Sequence, residues 1–151
     1  MTKTFLVVQT GVSESREVPC NCGCKQTFKN EREQWKRLDT GETTFDGAYS
    51  FGTGAMWFEE QWLSEGKHRD WDNDDGQHLV VRTPGGLWDI DSRASNCGSP
   101  NDRLHRCWIR HGIAPDITVD KVGLTCSAGA GSIISGKYHG FLRAGEFTPP
   151  L

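Results

Sequence analysis

From His78 onward the chain never keeps one apolar period long enough to make a helix. HLVVRT is cut by Pro84-Gly85-Gly86, LWDID follows, and after a polar stretch come CWIRHG, the break IAPD and ITVDKV. β-Branched and aromatic residues in runs this short, bounded by Gly and Pro, predict strands. The two-residue pleat sets Trp88 and Ile90 on one face and Asp89 and Asp91 on the other. It also sets His105, Cys107, Ile109 and His111 opposite Arg106, Trp108 and Arg110, an Arg-Trp-Arg row suited to a stacked surface. The tail KYHGFLRAGEF predicts a closing hairpin with Tyr138, Phe141 and Phe147 turned inward.

The first half reads differently. TFLVVQ, residues 4 to 9, predicts an opening strand that ends at Gly11, and SESREVP a loop. Cys20, Cys22 and Cys24 occupy every second position. In a flat strand their side chains would stand about 6.5 Å apart, too far for chelation, but Asn21 and Gly23 permit a bend that brings two thiols together. KNEREQWKRL, residues 29 to 38, has Asn30 as an N-cap, acids early, bases late, and Trp35 and Leu38 three apart, which predicts a short surface helix. AMWFEEQWLSEG places Trp57, Phe58, Trp62 and Leu63 at helical spacing, a second core-packing helix. KHRDWDNDDGQ predicts a solvated loop, because its carboxylates lack the Gly and closing Glu of a calcium loop.

Apolar residues make up 35% of the 151, with 18 Gly and six Trp, so the interior is small, aromatic and in want of a staple. The expectation is an α+β chain: one compact, β-rich domain over 1–151, with one or two short helices and a zinc staple. No apolar run approaches the roughly 20 residues that span a bilayer, and the N-terminal stretch lacks a secretion signal. This predicts a cytosol-like setting and no membrane partner. Six Cys in such a setting serve as metal ligands or thiols rather than disulfides. A net charge of -3 with scattered basic residues gives nucleic acid no support as a partner.

The densest chemistry lies between Trp88 and Gly112. Zinc takes four thiolate or imidazole ligands, and Cys97, His105, Cys107 and Cys126 offer such a set, alone or mixed with Cys20, Cys22 and Cys24. The bland alternative is that Cys97, Cys107 and Cys126 are small buried apolar residues and His105 an ordinary imidazole. A zinc hydrolase would add Asp89, Asp91 or His111 as base or orienter; a thiol enzyme would pair Cys97 or Cys107 with His105 or His111. Arg93, Asn96, Arg110 and His111 are candidate binding residues. Asp91, Ser92, Arg93 and Asn96 equally suit a buried hydrogen-bond network that specifies structure without chemistry.

The strings IDSRASNC, HRCWIRHG, VDKVGLTCSAGAGSI and YHGFLRAGEF resemble a family of short hypothetical proteins encoded in tailed-phage and prophage genomes, over the span from Gly54 to the C-terminus. The resemblance implies a phage setting and no mechanism. The chain is therefore expected to be a structural or accessory phage protein, a virion component or small interaction module. It would reside in the host cytoplasm or be incorporated in the virion, with other phage structural proteins or its own copies as partners. The enzymatic alternative is a zinc-dependent hydrolase or Cys/His thiol enzyme of phage origin.

Overall fold

The computed structural model describes residues 2–59, 78–90, 108–120 and 132–148. β1 (Thr2–Lys3) and β2 (Phe5–Pro19) are separated only by Thr4. β3 (Thr27–Arg37) returns antiparallel to β2, and β4 (Thr43–Thr44) pairs with β3. A single 3₁₀ turn, Ala48–Phe51, precedes β5 (Ala55–Phe58), which lies parallel to the start of β2. β6 (Leu79–Thr83) and β7 (Gly86–Asp89) extend that sheet as a hairpin, giving the order β4-β3-β2-β5-β6-β7. The other sheet is made from β8 (Ile109–His111), β9 (Thr118–Asp120), β10 (Ile133–Ser135), β11 (Tyr138–Arg143) and β12 (Glu146–Thr148). Its order is β1-β12-β11-β9-β8, with β10 beside β11.

The main core lies between the sheets. Met56, Leu79, Val81 and Ile90 from one face pack against Trp108, Ile117, Val119, Ile133, Leu142 and Phe147 from the other. Trp88 and Trp108 meet edge to face across this seam, with centroids 5.5 Å apart. A second apolar cluster covers the outer face of the β2-containing sheet: Phe5, Val7, Ala55, Trp57 and Val80, closed by Ala48, Phe51 and Trp35. Leu79, Val80 and Val81 are consecutive and all buried because that sheet is covered on both faces, which is why this strand reads as an unbroken apolar run.

The layers are tied at two places. Thr4 carries the chain from one sheet to the other; its amide donates to the Gly145 carbonyl (2.8 Å) and its hydroxyl to the Pro115 carbonyl (2.7 Å). At the second place the β6–β7 turn and the β10–β11 turn stack back to back. The buried Thr83 hydroxyl accepts from the Gly85 amide and lies 3.0 Å from the Ser135 hydroxyl. Gly85 and Gly136 are in backbone contact there, and a side chain at either would overlap the other turn.

Several sequence expectations are corrected. Among the described residues the two helices are absent. KNEREQWKRL belongs to β3, and SESREVP, expected as a loop, is part of β2. Across the hairpin Arg32 stands opposite Glu14 and Lys29 opposite Glu17, while Glu31 and Glu33 face Ser15 and Ser13. Ala55–Phe58 is a strand rather than the start of a helix, and residues 60–66 lie outside the described residues. Trp108, expected on a stacked surface between Arg106 and Arg110, is buried between the layers, and Arg106 lies outside the described residues. In the closing hairpin it is Leu142 that turns inward with Phe147. Phe141, on the alternate face, is half-buried under the Arg143 guanidinium.

Candidate metal centre

Past Gln9, β2 and β3 leave the body of the sandwich as a two-stranded arm. Gln9 faces Trp35 and Ser13 faces Glu33, so residues 10–12 bulge opposite Gln34 alone, with Gly11 at φ 85°. The Thr10 hydroxyl donates to Gln34 Oε1 (2.8 Å) and accepts from the Val12 amide (3.2 Å), which pins the bulge. Beyond it, among the described residues, Ser13–Pro19 pair in the sheet only with Thr27–Glu33. Arg32 anchors the base, donating through Nε to Glu14 (2.7 Å) and through Nη1 to Asp46 (2.7 Å); the Glu14 hydrogen bond raises the guanidinium pKa further. No residue from 8 to 47 is buried, and Val12 and Phe28 are each half or more exposed.

The arm ends in the loop Cys20–Gln26, closed by a hydrogen bond from the Cys20 amide to the Gln26 carbonyl (2.8 Å). Gly23 (φ 76°) and Lys25 (φ 61°) reverse the chain, as the Asn21-Cys22-Gly23 pattern leads one to expect. The bend gathers all three thiols rather than two: the Sγ atoms of Cys20, Cys22 and Cys24 lie within 4.8 Å of one another. Cys20 Sγ is 2.7 Å from Cys22 Sγ, and Cys22 and Cys24 are at disulfide distance. Cys20 is half-buried, Cys22 and Cys24 exposed.

This donor set suits a soft or borderline cation. Tetrahedral zinc with sulfur ligands at about 2.3 Å separates them by roughly 3.8 Å, inside the 4.8 Å within which these three sulfurs lie. The loop supplies three of the four ligands that a closed structural site uses. A metal held by these three would close the turn of the arm, away from the main core.

The remaining candidate ligands Cys97, His105, Cys107 and Cys126, and the candidate binding residues Arg93 and Asn96, lie outside the described residues. Arg110 and His111 are on β8, in the sheet that does not carry the arm. His111 Nε2 is 2.7 Å from Asp120 Oδ1 on the neighbouring β9, at the surface, and Arg110 stands opposite Val119. Asp89, named as a base or orienter, faces His78, with Nε2 to Oδ1 at 3.2 Å and the imidazole fully buried. Sequence reasoning passed over His78. The available signal was a histidine directly before the apolar run LVV, one strand away from an acid with the same outlook. A groove of about 590 Å³ opens at the foot of the arm, lined among others by Val7, Gln9, Gly11, Trp35, Phe58 and Glu59, whose carboxylate accepts from Trp57 Nε1 (3.0 Å).

Among the described residues no helix is long and apolar enough to cross a membrane. No family model matches the chain, and no curated protein or solved structure matches it.

Proposed function

We propose that the chain is a structural or accessory component of a phage assembly, an interaction module that reaches its neighbours through the β2–β3 arm and holds zinc in the thiolate cluster at the arm's tip. The supporting observation is the arm itself. A two-stranded ribbon is marginal in water, yet this one, with no third strand or cover among the described residues, extends roughly 20 Å past the bulge at about 3.3 Å per residue. Its length and its exposed Val12 and Phe28 are accounted for when the missing cover comes from another phage structural protein or a second copy. Zinc at the tip would fix the turn, whose ordering otherwise costs about 1 to 2 kcal/mol per residue.

The test is particle composition. Replacing residues 13–33 with a two-residue Asn-Gly turn should leave a folded body that no longer co-sediments with assembled particles. A protein absent from the particle, or incorporated equally well without its arm, overturns the assembly reading. For the metal, elemental analysis of protein purified without chelator should find zinc near one per chain, lost in Cys22→Ser. Zinc retained by Cys22→Ser but lost in Cys97→Ser would move the site away from the arm.

A further inference from the structure

We propose that the Cys20–Cys24 loop is also a thiol–disulfide exchange site for small disulfides, with Cys22 and Cys24 as the pair that bridges and Cys20 as the third thiol through which the bridge migrates. Cys22 is the shared neighbour: its sulfur lies 2.7 Å from that of Cys20 and at disulfide distance from that of Cys24. Cys22 and Cys24 are exposed at the end of an arm with no buried residue, so nothing in the described body shields them from a small reagent. Exchange depends on such access and on a second thiol within reach to resolve the mixed disulfide. Both conditions are met inside a loop of seven residues, Cys20–Gln26, without any movement of the body.

The chemistry balances with a low-molecular-weight disulfide such as oxidised glutathione as oxidant. The Cys22 thiolate attacks one reagent sulfur; a protein–glutathione S–S bond forms, the reagent's S–S bond breaks, and one glutathione thiolate leaves. The Cys24 thiolate then attacks Cys22 Sγ, closing the internal bridge and expelling the second glutathione thiolate. Two electrons pass from the protein dithiol to the reagent, and the two thiol protons end on the two glutathione molecules. Attack by Cys20 on Cys22 Sγ shifts the bridge and releases Cys24 as a thiol, with no net redox change. Because a bridge removes two of the three sulfurs a metal would need, oxidation and metal occupation exclude each other at this tip.

The experiment uses the full-length reduced protein, exposed to oxidised glutathione and then to an alkylating agent. Trypsin cuts after Arg16 and Lys25, so the peptide Glu17–Lys25 carries Cys20, Cys22 and Cys24 and no other cysteine. The expected product is this peptide with one internal bridge and one alkylated sulfur, the alkyl group divided between Cys20 and Cys24. Cys20→Ser should keep the bridge but place it only between Cys22 and Cys24, whereas Cys22→Ser should slow internal bridging at least tenfold. A peptide that stops at the glutathione adduct, or that is alkylated on all three sulfurs after oxidant treatment, overturns the proposal. So does an oxidised tip that still binds zinc as the reduced one does. A reduced tip that bridges as described yet never takes zinc refutes the metal reading alone.

Discussion

Gly85→Ala tests how the two sheets are joined. The backbone of Gly85 has an ordinary φ, so alanine carries no conformational penalty there, and the whole cost comes from space. A Cβ at this position would overlap the Ser135 carbonyl oxygen and sit 2.7 Å from the Tyr138 nitrogen, both main-chain atoms that cannot rotate away. The β6–β7 and β10–β11 turns must therefore part by on the order of 1 Å, a gap that forfeits a quarter to a half of the dispersion attraction across it. Overpacking of this kind costs about 1 to 3 kcal/mol. The parting also stretches the buried Thr83–Ser135 hydrogen bond, 3.0 Å long, whose loss adds about 1 kcal/mol. The expected total is about 2 to 4 kcal/mol, a fall in Tm of roughly 5 to 15 °C for a chain of this size. Gly86→Ala is the control: φ there is 134°, with nothing near the added Cβ, so it reports backbone strain without a clash. Differential scanning calorimetry of both variants, with urea titration to confirm an unchanged m-value, gives the comparison. A Gly85→Ala protein melting within about 2 °C of the parent would show that the turns do not bear on each other, and the account of the layer junction would fail.

Burial on both faces of β6 predicts that Val80→Ala and Val81→Ala, although they point in opposite directions, each lose about 1 to 3 kcal/mol in urea denaturation; a sheet covered on one face only would leave one of the pair near neutral. Tyr138→Phe should cost about 1 kcal/mol, because the phenol donates to the Thr148 carbonyl at 2.6 Å. Burial raises the Tyr138 pKa, so the native state keeps this proton to higher pH than the unfolded chain; its contribution is whole below about pH 10 and is lost as pH rises through the folded value. The parent's stability should therefore fall in that window with a slope that Tyr138→Phe reduces, and parallel alkaline profiles for the two proteins would remove the argument.

Much of the body can be read from local sequence. The strands from Leu79 onward, the turn at Pro84-Gly85-Gly86, the inward Ile90 and the presence of the closing hairpin follow from short β-branched and aromatic runs cut by Gly and Pro. Those signals are complete within a few residues of chain, and the bend among the three cysteines is of the same kind. The arm is different. The charges of KNEREQWKRL serve a helix dipole and a cross-strand ladder equally well, and the residues that decide between them, Glu14 and Glu17, are far away along the chain. The same holds for Trp108, whose alternation fixes that it faces Arg110's side of the strand but not that a second sheet lies there. It holds also for His78 and Asp89, which meet because β6 and β7 pair in one register.

From Leu79 onward the sequence by itself determined that strands would form, where they turn, and which side chains share a face; over SESREVP, KNEREQWKRL and Ala55–Phe58 its local signals suited a loop or a helix instead. Only the tertiary structure decided what each face meets: a second sheet, a covering cluster, or, along the arm, little of the described body beyond Asp46 at its base. Pleat and turn preferences are stored in neighbouring residues, whereas the free energy that selects a partner is released only when distant segments pack together.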